Sequence, residues 1–219
     1  MRNLFLAVAA LAATPGVASA ATVTDATGDF LPTYTAGPRL ADLDVTSFSV
    51  NYNAATQFFT LGATFAGAIG AVGALTDGIY VIGVNTGTGP LRPFAALGQG
   101  NVIFNQAITL RKDGTGNVGA TVLDPANISI AGNIITARIA LSLLPSTGFR
   151  PEQYGFNLWP RLGTGNNNQI TDFAPENANL SVEGLQTAVP EPATWGVTLL
   201  GLGAVGAVLR RRRPRAAVA

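Results

Sequence analysis

The sequence predicts an all-β body, a two-sheet β-sandwich of jelly-roll-like build, set between an apolar leader and a short apolar tail. Three observations predict it. Short runs of alternating apolar and polar residues recur through residues 21–188. Turn-forming residues divide those runs, and the 219-residue chain holds 26 Gly and 13 Pro. No stretch of the body carries the 3.6-residue period of an amphipathic helix.

Composition removes several classes of chemistry. The chain has no histidine and no cysteine, which excludes disulfides, imidazole and thiolate metal sites, cysteine nucleophiles and serine–histidine triads. Charged residues are only 11% of the chain, under half the usual share of about 25%. The body holds 7 basic and 11 acidic residues, and five arginines crowd the last ten positions. A body near −4 offers no basic face, so nucleic acid is not an expected partner.

The first element is a processing signal over residues 1–20. Arg2 precedes an uncharged apolar run at 4–13, a break at Pro15-Gly16 and the small-x-small site Ala18-Ser19-Ala20. This is the pattern of a secretory signal peptide, with cleavage expected after Ala20. The body, 21–188, then folds outside the cytoplasm.

Strands follow in order. Leu43-Asp44-Val45 and Phe48-Ser49-Val50 each alternate, but out of phase, which predicts a bulge near Thr46 or Ser47. In residues 58–65, Phe59, Leu61, Ala63 and Phe65 share one face, and Thr60 and Thr64 the other. Residues 79–84 are apolar on both faces and predict a central strand. Residues 102–110 and 118–123 are expected to pair about Asp113-Gly114. Residues 128–130 and 134–143 are expected to pair about Gly132-Asn133, with Ile135, Ala137, Ile139, Leu141 and Leu143 inward. A loop with a short helical turn is expected at 145–148, and late strands at 154–159 and 180–182. The total is eight to ten strands.

The tail has three parts. Residues 189–192 hold Pro190, Glu191 and Pro192, whose two prolines keep the chain extended. Residues 193–209 carry no charge, and as a helix they reach about 26 Å, near the lower limit for a membrane span. Arg210, Arg211, Arg212 and Arg213 begin a basic tail over 210–219, and such a cluster stays cytoplasmic. This tripartite order resembles a PEP-CTERM sorting signal over roughly the last 31 residues. The resemblance implies a bacterial exported protein, anchored first in the inner membrane with its body in the periplasm. An exosortase-type membrane enzyme then processes it near the Pro-Glu-Pro segment. It also implies a surface or extracellular role linked to exopolysaccharide and biofilm.

The body has a second resemblance. Asp25-Ala26-Thr27-Gly28-Asp29, the strand opening Asp42-Leu43-Asp44-Val45, and the late Tyr154-Gly155-Phe156-Asn157-Leu158-Trp159 are similar in layout to secreted DOMON-like and carbohydrate-binding sandwich domains. That likeness implies architecture alone, because histidine is missing and Met1 leaves with the leader.

Two residue sets are candidate sites. Asp25, Asp29, Asp42 and Asp44 concentrate carboxylates that suit Ca²⁺, without the ligand order of an EF-hand, and solvated turn aspartates are the plainer reading. Tyr154, Asn157, Trp159 and Arg161 could meet a sugar, although an indole more often anchors a sandwich core. No motif selects a catalytic pair from Asp44, Glu152 and Asp172, no phosphate-loop pattern is present, and no catalytic residue is assigned. The expectation is a non-enzymatic surface protein. A secreted carbohydrate-binding module is the alternative, and a glycan-acting enzyme stands behind both.

Overall fold

A computed structural model describes residues 19–70 and 78–186. The expected leader up to residue 18, the Pro-Glu-Pro segment, the apolar span and the arginine tail lie outside the described residues. Among those described, no helix is long and apolar enough to cross a membrane.

The body is all-β, and the described residues form twelve strands in two antiparallel sheets. β1 (Ser19–Thr24), β2 (Val45–Asn53) and β3 (Phe58–Phe65) form a meander, and β9 (Ile134–Ala140) and β8 (Ile128–Ala131) extend it beyond β3. In the second sheet β4 (Gly78–Asn85), β5 (Gln106–Arg111), β6 (Gly116–Val118) and β7 (Thr121–Val122) follow one another. β10 (Gly155–Leu162), β11 (Asn179–Ser181) and β12 (Gly184–Gln186) continue from the other side of β4. The chain therefore stays in one sheet for two to four strands at a time. Successive strands within each run are neighbours, joined by short turns at β2–β3, β5–β6, β6–β7, β8–β9 and β11–β12 and by longer segments at β1–β2, β4–β5 and β10–β11. The jelly-roll expectation therefore gives way to a sandwich of hairpins and meanders.

Local patterns explain the central elements. β3 alternates half-buried and buried positions along its whole length, with Phe59, Leu61, Ala63 and Phe65 inward. The β2–β3 register slips between Val45 and Ser47, the bulge that the broken phase of β2 requires. Gly132, at φ 61°, and Asn133 make the two-residue turn of the β8–β9 hairpin. Expected cleavage after Ala20 falls within β1 and leaves residues 21–24 in register with β2.

The two sheets meet through aromatic side chains. Phe59 of β3 packs on Tyr154 and on Phe156 of β10, and Phe65 lies 4.6 Å, ring to ring, from Tyr80 of β4. β4 is buried on both faces because residues 86–105 fold over its outer side. There Phe94, Phe104, Phe173 and Trp159 of β10 form a second aromatic cluster. Gly83 of β4 opens the space, since a Cβ at that position would fall 2.5 Å from the Trp159 ring. Amide side chains fasten this cover. Asn179 Nδ2 donates to the Ile103 carbonyl, Asn177 Oδ1 accepts the Asn101 N–H, and Gln99 accepts the Asn177 N–H.

Some expected boundaries move. The inward alternation of β9 stops at Ala140, and Leu141–Leu143 is a 3-10 turn because the Leu144 N–H returns to the Leu141 carbonyl. The 102–110 arm becomes strand only from Gln106, while Val102 is buried in the covering segment. The 118–123 arm divides between β6 and β7, because the chain turns again at Gly119 (φ 52°). The loop at 145–148 has no helical turn; residues 147 and 148 instead bridge to Gly87.

Candidate metal centre

Three distant segments bring carboxylates together. The loop after β1 supplies Asp25 and Asp29, the residue before β2 supplies Asp44, and the segment running beside β10 supplies Asp172. Backbone bonds hold these segments in place. The Asp25 N–H donates to the Thr46 carbonyl at 3.0 Å, and the Leu31 N–H to the Thr171 carbonyl at 2.8 Å. Thr171 Oγ1 reaches the carbonyls of Leu43 and Pro160, so one hydroxyl ties the start of β2 to β10.

One carboxylate oxygen from each of Asp29, Asp44 and Asp172 lies within 4.8 Å of the others. Asp44 is 3% exposed and Asp172 is 2% exposed. Asp172 Oδ2 accepts the Val45 N–H at 2.9 Å, and its Oδ1 accepts the Phe173 N–H. Asp44 Oδ2 accepts the Gly28 N–H at 2.8 Å. The other oxygen, Asp44 Oδ1, is buried without a hydrogen-bond partner, as are Asp25 Oδ2 and Asp29 Oδ1.

Burial and mutual repulsion disfavour ionisation here. Loss of solvent is the main force that pushes the Asp25 carboxyl up to about 7, with the charges of Asp29, Glu176 and Asp44 adding to it. Burial likewise pushes Asp172 up to about 8, reinforced by Asp25 and Asp29. Asp44 is raised by burial and by Asp29, against the opposing bond from Gly28. The donor set is oxygen only, which suits a hard cation such as Ca²⁺ or Mg²⁺.

Sequence spacing identified part of this group. Of the four expected aspartates, Asp29 and Asp44 come together, Asp25 lies where their charges act on it, and Asp42 does not join them. An i, i+2 spacing puts both residues on one side of a strand, whereas the 3-10 turn at Ala41–Leu43 rotates Asp42 away. It forms a buried ion pair with Lys112 instead. Asp172 was missed as a member of the cluster. Its signal is a lone acidic residue in the apolar run Ile170-Thr171-Asp172-Phe173-Ala174.

The expected sugar contacts occupy interior places. Tyr154, Asn157 and Trp159 are each at most 2% exposed. Tyr154 donates to the Leu144 carbonyl, and Asn157 Nδ2 donates to the carbonyls of Pro175 and Ala178. Trp159 is spent on the aromatic cluster, and Arg161 donates to Gly163, Asn166 and Gln169. These four residues therefore build the core and its loops, and they form no surface platform for stacking.

Beyond β12 the chemistry lies in the order of residues: Pro190-Glu191-Pro192, an uncharged stretch, then Arg210, Arg211, Arg212 and Arg213. Residues 188–213 match the PEP-CTERM protein-sorting motif. The PEP-CTERM motif marks an exported protein with a membrane-anchored sorting signal, and it implies handling by an exosortase, a membrane enzyme. The match covers the tail and leaves the sandwich outside it. No curated protein and no solved structure matches the chain.

Proposed function

We propose that the chain is a surface or extracellular-matrix protein, processed by an exosortase, associated with exopolysaccharide or biofilm, and without enzymatic activity. The PEP-CTERM motif at 188–213 carries this reading. The leader pattern at 1–20 agrees with it, since both ends then serve export and sorting. In the precursor the sandwich lies on the periplasmic side of the inner membrane, and the arginines lie on the cytoplasmic side.

Two features support a non-enzymatic body. Histidine and cysteine are absent from the sequence. Of the acidic residues weighed for catalysis, Asp44 and Asp172 are buried, and both oxygens of Asp172 accept backbone N–H groups. Glu152 lies elsewhere, where its charge acts on Tyr52. The burial of Tyr154 and Trp159 leaves no observation that favours the carbohydrate-binding alternative.

Substitution at the sorting segment tests the proposal. Pro190→Ala or Glu191→Ala is expected to trap a membrane-held precursor in a host with its own exosortase, with the melting temperature of the body unchanged. Normal release of both variants contradicts it.

A further inference from the structure

We infer that Asp29, Asp44 and Asp172, with Asp25 beside them, form a Ca²⁺ site that fastens the N-terminal loop to both sheets. Geometry is the first support. Calcium holds oxygen ligands at 2.3–2.6 Å, so ligand oxygens on opposite sides of one ion stand about 4.8 Å apart. One oxygen of each of the three carboxylates falls within that span. Magnesium, at 2.0–2.1 Å, calls for a tighter set and keeps several of its waters, which suits these buried donors poorly.

The unpaired oxygens are the second, independent support. Asp44 is 97% buried, by its 3% exposure, yet its Oδ1 has no hydrogen-bond partner. Asp25 Oδ2 and Asp29 Oδ1 share that condition. Buried polar atoms are paired in the great majority of cases, and an orphan calls for an explanation such as an ion. Three orphans from one loop and the adjoining strand start have one explanation in common. A cation between them also answers the charge problem, because the charges acting on Asp25 are those of Asp29, Glu176 and Asp44, all negative.

The consequence is structural. Asp29 lies on the loop after β1, Asp44 immediately precedes β2 of the first sheet, and Asp172 runs beside β10 in the second. One ion would cross-link segments 128 positions apart in sequence, between Asp44 and Asp172. A fold without cysteine has no disulfide for that purpose, and calcium modules outside cells commonly bind at about 0.1–1 mM.

The test is a calcium titration of the full chain, purified in a mild detergent and stripped with a chelator. Isothermal calorimetry is expected to give one Ca²⁺ per chain, and the melting temperature to rise with added CaCl₂ by mass action. Asp29 is only half-buried, so Asp29→Asn is expected to keep the fold and to weaken binding by about tenfold or more as the ligand charge falls. Asp42→Asn alters the Lys112 pair and is expected to keep calcium affinity and stoichiometry. A flat titration up to about 10 mM, well above the range for extracellular modules, overturns the assignment. So does an Asp29→Asn variant that binds like the parent, or an equal response to MgCl₂.

Discussion

Asp172 accepts the backbone N–H of Val45 at 2.9 Å, across 127 positions of chain. This contact links the segment beside β10 to the bulged start of β2, and it sets the second carboxylate of the cluster next to Asp44. Removing it exposes what it holds. Asp172→Ala leaves the buried N–H groups of Val45 and Phe173 without their acceptor. The expected loss is about 2–6 kcal/mol, at about 1–3 kcal/mol for each of the two orphaned groups. Asp172→Asn keeps an acceptor and is expected to lose less. Urea unfolding at pH 6 compares the two.

The acidic cluster gives the calcium-free chain a pH dependence of defined sign. Asp25 and Asp172 sit at about 7 and about 8 in the folded chain, above the ordinary 3.8. The folded state thus binds more protons than the unfolded state between these values. Their contribution to stability is full below pH 4 and is lost as pH rises through 7 and 8. In chelator, the urea midpoint is expected to fall between pH 5 and pH 8.5. Calcium is expected to reduce that fall, because it replaces the protons. A midpoint that rises over the same interval contradicts the electrostatic picture.

The buried pair Lys112–Asp42 joins the β5–β6 turn to the 3-10 turn before β2. Lys112→Met leaves the Asp42 carboxylate buried and unpaired, at an expected cost of about 3–5 kcal/mol. Replacing both partners with apolar residues is expected to recover much of that loss. A double-mutant cycle from denaturant curves measures the difference.

Gly83 is the point where β4 makes room for Trp159. A side chain there meets the indole at 2.5 Å and Phe104 at 2.9 Å. Gly83→Val is expected to destabilise by about 1–3 kcal/mol through overpacking. The near-ultraviolet circular dichroism of the aromatic cluster is expected to change with it.

The central strands were legible because their signals are local. The alternation of β3, the two-sided apolar run of β4 and the Gly132-Asn133 turn each lie within about ten residues. The β2 bulge was legible for the same reason, since Val45 and Phe48 are both apolar but out of phase. The folding of residues 86–105 over the outer face was not legible. It depends on Gly83 meeting Trp159 and on residues 99–103 meeting 177–179, pairings separated by some 76 residues. The cluster divided along the same line. Asp25, Asp29 and Asp44 lie within twenty residues of one another in sequence, whereas Asp172 arrives through tertiary structure. Asp42 was misassigned because one 3-10 turn changes the direction of its side chain.

Sorting is the claim on which the functional account rests, and the mass of the mature protein tests it most directly. The chain would be expressed in a host with its own exosortase and in the same host lacking it, and the surface form weighed by intact mass spectrometry. With the enzyme, the account expects a released form that ends near Pro190-Glu191-Pro192 and lacks Arg210, Arg211, Arg212 and Arg213. Without it, the membrane-held precursor keeps the whole tail. Retention of residues 210–219 in both hosts would show a plain anchor and contradict exosortase processing.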